Sequence, residues 1–344
     1  MGIFDFESEE EKLYKAVGNV NVEIVKSMLD KANKKNKILK LNEKIGDGDG
    51  YLFLWASWKN NVEIVQLIID YANKAHIILE INDTDKEGWY PLLESTWNNN
   101  IEMTKLIIDY ANKNDIILNF NVQDEYGWYP LLKSCTLNNL DMIKLLVEYA
   151  EKHNVIMKLD GKENEYGWYP LLYAFSEKNI DMIKLLMDYS VRHDITLELN
   201  EVSTKGKYPL LYACSNNNVE MVKILMEYAI KHDVNLEMNK KDNNGRYPLL
   251  CACSHNNIEM VVLLMEYAKV HDIILDLNEK DNDGNYPLLY ACPDKNIETL
   301  KIIVDHVNKH ESILEFNGNE REIYILKLLT EYAYNNKINM KYYE

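Results

Sequence analysis

Histidine and cysteine are the side chains here whose chemistry could go beyond packing, and both fall at regular intervals. His153, His193, His232, His271 and His310 lie 39 or 40 residues apart. A structural metal ion needs at least three ligands around one point, and one imidazole per interval is too sparse, so no metal is expected. Placement near helix C-termini, where positive charge is welcome, accounts for them better. Cys135, Cys214, Cys253 and Cys292 share one slot of the same spacing, with Cys251 two residues before Cys253. On a helix those two point to different sides, which suits no disulfide. A cysteine nucleophile needs a paired base and an oxyanion hole, and neither is offered. The thiols read as small buried groups in a reducing compartment. There is no phosphate-cradling loop, no dinucleotide fingerprint and no H-E-x-x-H helix. The chain is therefore expected to be no enzyme and to carry no cofactor.

The 344 residues are 47% hydrophobic and 27% charged, as in an ordinary folded chain, with a formal net charge of −17. That charge argues against nucleic acid or an anionic membrane, which need clustered cations, and suits basic or neutral partners. No stretch is apolar for long enough to span a bilayer. The opening residues show no basic leader, and Phe6 stands where myristoylation wants Ser or Thr. The expected location is cytoplasm or nucleus.

The elements that position these slots repeat. The prolines of a Tyr-Pro-Leu-Leu core are Pro91, Pro130, Pro170, Pro209, Pro248 and Pro287, at intervals of 39, 40, 39, 39 and 39 residues. Such a period marks a stacked array in which each unit contacts its neighbours. Seven full units over residues 47–317 start at turns near Asp47, Asp85, Asp124, Asn164, Ser203, Asp242 and Asp281. In the unit from Asp242, Asn243-Asn244-Gly245 supplies turn chemistry, and Pro248 sits where a helix can begin without its N–H. Leu249, Leu250, Ala252 and Cys253 give a short helix, and His255-Asn256-Asn257 breaks it. Ile258, Met260, Val261, Leu264, Met265 and Ala268 mark a longer second helix. Pairs three apart on that helix, such as Asp181–Lys184 and Glu220–Lys223, make a solvated face. Residues 1–46 form an N-terminal capping pair, opened by a capping box at Ser8 and Glu11. Residues 318–344 carry a lone second helix as the C-terminal cap. One array spanning 1–344 is expected.

The unit, Asp-x-x-Gly-x-Tyr-Pro-Leu-Leu-x-Ala followed by Asn-Asn-Ile-Glu-Met-Val-Lys-x-Leu-Met-Glu-Tyr, resembles the ankyrin repeat over almost the whole chain. The resemblance implies an all-α solenoid of helix-turn-helix units, with projecting turns and first helices lining a concave face. Two departures stand out. The Thr and His that flank Pro-Leu in the family are replaced by Tyr (Tyr90 and its equivalents) and Leu (Leu93 and its equivalents), which reads as a polar link exchanged for apolar packing. The unit is also about six residues longer than the family's 33. Ala72, Ala111, Ala150, Ser190, Ala229 and Ala268 stand where a helix-ending Gly is usual, so the second helix runs on. A partly alternating segment such as Ile273–Asn278 follows, expected to pack its leucines along the back of the array.

By the same resemblance, the residue after the turn glycine lies on the projecting turn. It is Trp89, Trp128 and Trp168 in three units, then Lys207, Arg246 and Asn285. Tyr126 and Tyr166 share those turns, and Trp58 and Trp97 map to a first-helix slot facing the same concavity. Trp and Tyr are large, stiff anchors favoured in binding hot spots. Two readings stand side by side: the indoles grip a partner, or they fold onto neighbouring rings to stiffen the turns. Their absence from the later turns, where Tyr-Pro persists, favours a partner. Repeats spaced at roughly 10 Å, the distance between packed helices, would set the indoles in a row. The expected function is a protein- or peptide-binding scaffold using Trp58, Trp89, Trp97, Tyr126, Trp128, Tyr166 and Trp168, with Lys207 and Arg246 selecting partner charge. A glycan laid along the Trp row and a purely structural array are the alternatives. A monomer is expected.

Overall fold

The computed structural model describes residues 8–44, 50–290, 297–309, 314–315, 320–336 and 342–343. The turn expected near Asp47, Cys292 and His310 lie outside them, as do the boundaries drawn at 46/47 and 317/318. Two compact units divide the chain, Met1–Asn164 and Glu165–Glu344.

The first unit contains α1 (Glu9–Gly18), α2 (Val22–Lys34), α3 (Leu52–Trp58), α4 (Val62–Ala75), α5 (Pro91–Trp97), α6 (Ile101–Lys113), α7 (Pro130–Thr136) and α8 (Leu140–Lys152). The second contains α9 (Pro170–Ser176), α10 (Ile180–Arg192), α11 (Pro209–Ser215), α12 (Val219–Lys231), α13 (Pro248–Ser254), α14 (Ile258–Val270), α15 (Pro287–Tyr290) and α16 (Ile297–Lys309). It ends with β1 (Leu314–Glu315), α17 (Glu320–Asn336) and β2 (Tyr342–Tyr343). Within each unit short helices pack on short helices and long on long, as α3 on α5 on α7 and α4 on α6 on α8. That is the expected helical solenoid; the parallel pairing of Leu314 with Tyr342 is a small addition to it.

Local chemistry explains the element ends. Ser8 and Glu11 form the expected capping box, with Glu11 N–H donating to Ser8 Oγ at 3.0 Å and Ser8 N–H to Glu11 Oε2 at 2.7 Å. In the Asn-Asn breaks the first residue is left-handed, as at Asn256 with φ 54°, and the second caps the long helix, as Asn257 Oδ1 accepts from Met260 N–H at 3.0 Å. Long helices run past the Ala slot and close through left-handed Asp or Asn, as at Asp115 and Asn154. The Ala carbonyl then takes the closing bond, as from Ile116 to Ala111 at 2.9 Å.

The Tyr of Tyr-Pro corrects one expectation. Its ring is fully buried, but a polar link survives: Tyr90, Tyr169, Tyr208 and Tyr247 donate their hydroxyls to the carbonyls of Val122, Glu201, Lys240 and Glu279 at the end of the same unit, just ahead of the next turn, at 2.8–3.1 Å. The phenol spans the gap that a shorter hydroxyl could not. The connecting segments alternate as expected, with Leu39, Leu41, Leu79, Ile81, Leu118 and Phe120 buried. Asparagine amides tie them together: Asn82 donates to the Ile117 carbonyl at 2.7 Å and accepts from Asn119 N–H at 3.0 Å, and Asn121 and Asn239 repeat the pattern.

Two further expectations change. Lys184 and Lys223 reach Glu220 and Glu259 of the following repeat, at 3.7 and 2.6 Å, instead of the acid three residues back on their own helix. Side-by-side packing of the long helices brings the next repeat's first-turn acid within reach. In the unit entered at Asn164, the buried turn slot belongs to Glu163. Asn164 N–H bonds Tyr126 O as Glu125 N–H bonds Glu87 O, so Glu163 is the equivalent of Asp124. One residue added inside this turn accounts for the 40-residue interval.

Candidate functional site

The projecting turns are held by their leading side chain, an acid in most and Ser203 in one, where Oγ accepts from Lys207 N–H at 3.2 Å. Asp124 Oδ1 accepts from Tyr126 and Trp128 N–H at 2.9 and 2.8 Å, and Asp85, Asp242 and Asp281 do the same on their own turns. The turn glycine closes it. Gly88 and Gly127 have φ of 89° and 88°, and a Cβ there would lie 2.7 Å from Asp124 Cα and 2.6 Å from Lys162 O. Successive turns are joined by backbone bonds, such as Glu125 N–H to Glu87 O at 2.9 Å. The residue after each glycine is thereby fixed beside the first helix.

In the first unit this brings the tryptophans together. Trp89 packs edge-on against Trp97 at 4.9 Å, and Trp97 edge-on against Trp128 at 5.7 Å. All three are half-buried, so their rings are neither sealed in nor free. Trp97 fills the space between the two turn indoles, and the cluster replaces the row of separate posts expected from the repeat spacing. Trp58 is 48% exposed and meets Trp55 at 4.5 Å, which stacks on Tyr14 at 5.3 Å. Lysines lie on these rings: Lys133 Nζ is 3.6 Å from the centroid of Trp97 and 5.4 Å from that of Trp128, and Lys59 is 4.1 Å from Trp58. Burial among the rings lowers the pKa of Lys133. Tyr126 projects from its turn, exposed.

In the second unit Trp168, half-buried, packs against Tyr173 at 4.8 Å and Tyr212 at 5.7 Å, and Tyr166 is exposed with Lys205 at 5.7 Å from its ring. Lys207 Nζ is 2.6 Å from Asp242 Oδ2, with the side chains 15% and 0% exposed. Arg246 Nε is 3.6 Å from the same oxygen. Burial raises the pKa of Asp242, but the Lys207 bond and the turn amides outweigh it and hold the carboxyl below its usual range.

One column of this surface escaped the sequence reading. The fourth residue of each short helix is Trp55, Glu94, Lys133, Tyr173, Tyr212, Cys251 or Tyr290, and at Lys133, Tyr173 and Tyr212 it meets the turn residues. Glu94 is buried, which together with the charge of Asp85 pushes its carboxyl up to about 8. The signal was available: it is the x of Pro-Leu-Leu-x, the variable position in an otherwise constant helix.

The remaining slots are structural. His153, His193, His232 and His271 stack on the Tyr four residues earlier at 4.2–4.3 Å. Cys135, Cys214, Cys251 and Cys253 are buried, and burial pushes every one of these thiols up, Cys251 to about 11 and Cys253 to about 12. Among the described residues no helix is long and apolar enough to cross a membrane.

The model of a family described as ankyrin repeats (three copies) matches residues 13–118, 115–198, 189–274 and 230–314. Among solved structures, the crystal structure of the ankyrin repeat domain of Bcl-3, described as a unique member of the IkappaB protein family, is similar at 15% identity and a TM-score of 0.49. The match covers 73% of this chain and 96% of that one. The comparison with curated proteins gave no match.

Proposed function

Because the chain belongs to the ankyrin repeat family, whose repeats generally mediate protein–protein interaction, we propose that it is a binding scaffold for a protein or peptide. The partner lies on the turns and short helices. The observation that carries this reading is the half-buried cluster of Trp89, Trp97 and Trp128 beside exposed Trp58 and Tyr126. Rigid aromatic rings already held by their neighbours lose little entropy on binding and offer large contact area. Trp168 and Tyr166 continue the same chemistry in the second unit, and Lys207 and Arg246 add a cationic edge whose charge Asp242 partly balances. The edge-to-face packing favours a side-chain-bearing partner over a sugar polymer, which stacks on open, parallel faces. No catalytic step belongs to this reading. Buried reduced cysteines support a cytoplasmic or nuclear setting.

The test is affinity capture with the full chain beside a Trp89→Ala, Trp97→Ala, Trp128→Ala variant, after a melting curve has shown that both fold. Loss of the specific partners in the variant is expected. An unchanged set of partners overturns the reading in favour of a purely structural array.

A further inference from the structure

Glu94, on α5, is 5% exposed, and no hydrogen bond or ion pair engages its carboxylate among the described residues. Burying an acid without a partner is costly. The fold does not require it, because the same slot accepts Trp55, Tyr173, Tyr212 and Cys251 in other repeats. An apolar or aromatic residue would pack there without that cost, so stability does not explain the acid.

Register shows what surrounds it. Lys133 holds the same slot one repeat on, and its ammonium reaches Trp97, 36 residues earlier, and Trp128, five residues earlier. Subtracting the same 36 and five from Glu94 gives Trp58 and Trp89. Trp58 has Lys59 on one face and is still 48% exposed. The acid thus belongs to a slot bordered by indoles on a surface that already seats cations on its rings.

We propose that Glu94 is the receptor for an arginine side chain of the partner, its guanidinium paired with the carboxylate and lying against the indoles of Trp58 and Trp89. The inference rests on the binding role proposed above for this surface. Arginine fits better than lysine for three reasons. Its planar fork matches a carboxylate with two parallel bonds. Its weak hydration makes entry into a half-buried slot less costly. Its flat face stacks on indole, the strongest aromatic partner for a cation. The net charge of −17 draws basic segments toward the chain from a distance.

The experiment pans the full chain against a phage library of random linear dodecapeptides. The tightest peptide is synthesised with each arginine replaced in turn by citrulline, which keeps the shape and removes the charge. Fluorescence anisotropy then gives Kd for wild type, Glu94→Gln and Trp89→Ala. At one position the citrulline exchange should weaken binding to wild type about tenfold. Glu94→Gln should cause a similar loss, and the two changes together should cost no more than either alone. Binding that needs Trp89 but shifts less than about twofold with citrulline or Glu94→Gln leaves the surface as a binding site and overturns the arginine receptor. If no peptide is enriched, or Trp89→Ala makes no difference, the binding role fails and this inference fails with it. The citrulline arm uses unaltered protein, so the result stands even if Glu94→Gln should not fold.

Discussion

Asp124 and Asp242 occupy the same place on two copies of one turn, each clasping its backbone amides through Oδ1. They differ in what faces the other oxygen. Asp242 Oδ2 receives Lys207, 35 residues earlier. The residue 35 before Asp124 is Trp89, and among the described residues Asp124 Oδ2 is buried with no cation beside it, whereas at Asp242 Oδ2 the close ammonium stands in for a hydrogen bond of regular geometry. Burial raises the pKa of Asp124 against the pull of the Trp128 and Tyr126 amides, whereas Asp242 is held low. One frame therefore carries two surface chemistries. The turn is kept in both units, and the first gives up the ion pair for an indole. That exchange leaves a polar group wanting, which a scaffold selected for stability alone would have no reason to retain.

The largest test of this contrast removes the cation. Lys207→Met should destabilise the protein by about 3 kcal/mol in urea unfolding, because it strands a buried carboxylate. A loss below about 1 kcal/mol would make the pair an ordinary surface bridge and weaken the distinction between the units.

Next is the pH dependence due to Glu94. Its folded pKa of about 8 lies above the ordinary 4.5. The native state therefore keeps a proton that the unfolded chain has lost, and stability falls as pH rises through that window. The contribution levels off above the folded value. Comparing pH 5 with pH 9, wild type should lose about 4 kcal/mol more than Glu94→Gln, with all other groups cancelling. Parallel curves for the two proteins would show that Glu94 is solvated.

The acids can then be exchanged directly. Asp242→Asn keeps the turn acceptor but loses the pair, and should cost about 2 kcal/mol more than Asp124→Asn. Trp89→Lys should supply Asp124 with the missing cation and lower its pKa, read by carboxyl NMR titration. An unmoved titration would mean that the two turns differ in more than this residue.

The smallest effect is the control. Tyr90→Phe and Tyr208→Phe each remove one hydroxyl-to-carbonyl tie and should each cost about 1 kcal/mol, alike in both units. Unequal losses in thermal melts would place the difference in the frame itself.

The frame was readable because its causes are local and repeated. Pro248 opening a helix, Asn257 capping the next and the alternating burial of Leu39 and Leu41 follow from single-residue chemistry at fixed spacing. What stayed hidden depends on distance in the sequence. Nothing near Lys207 announces Asp242, and a tyrosine does not reveal whether its hydroxyl will reach a carbonyl 32 residues on. The candidate surface was half legible. Trp89 and Trp128 stood out by type and turn position, but Trp97 as the ring joining them required the packed geometry. Glu94 was passed over because the helix around it reads as uniform core.

The hydroxyls of Tyr110 and Tyr149 and the asparagine amides of the connecting segments join consecutive units through main-chain groups, which every residue type possesses. A join of that kind is indifferent to its neighbour's side chains. A copy can be gained, lost or recoloured on its outer face without a matching change next door, which is how a tryptophan-bearing stretch and a lysine-bearing one come to share a single chain.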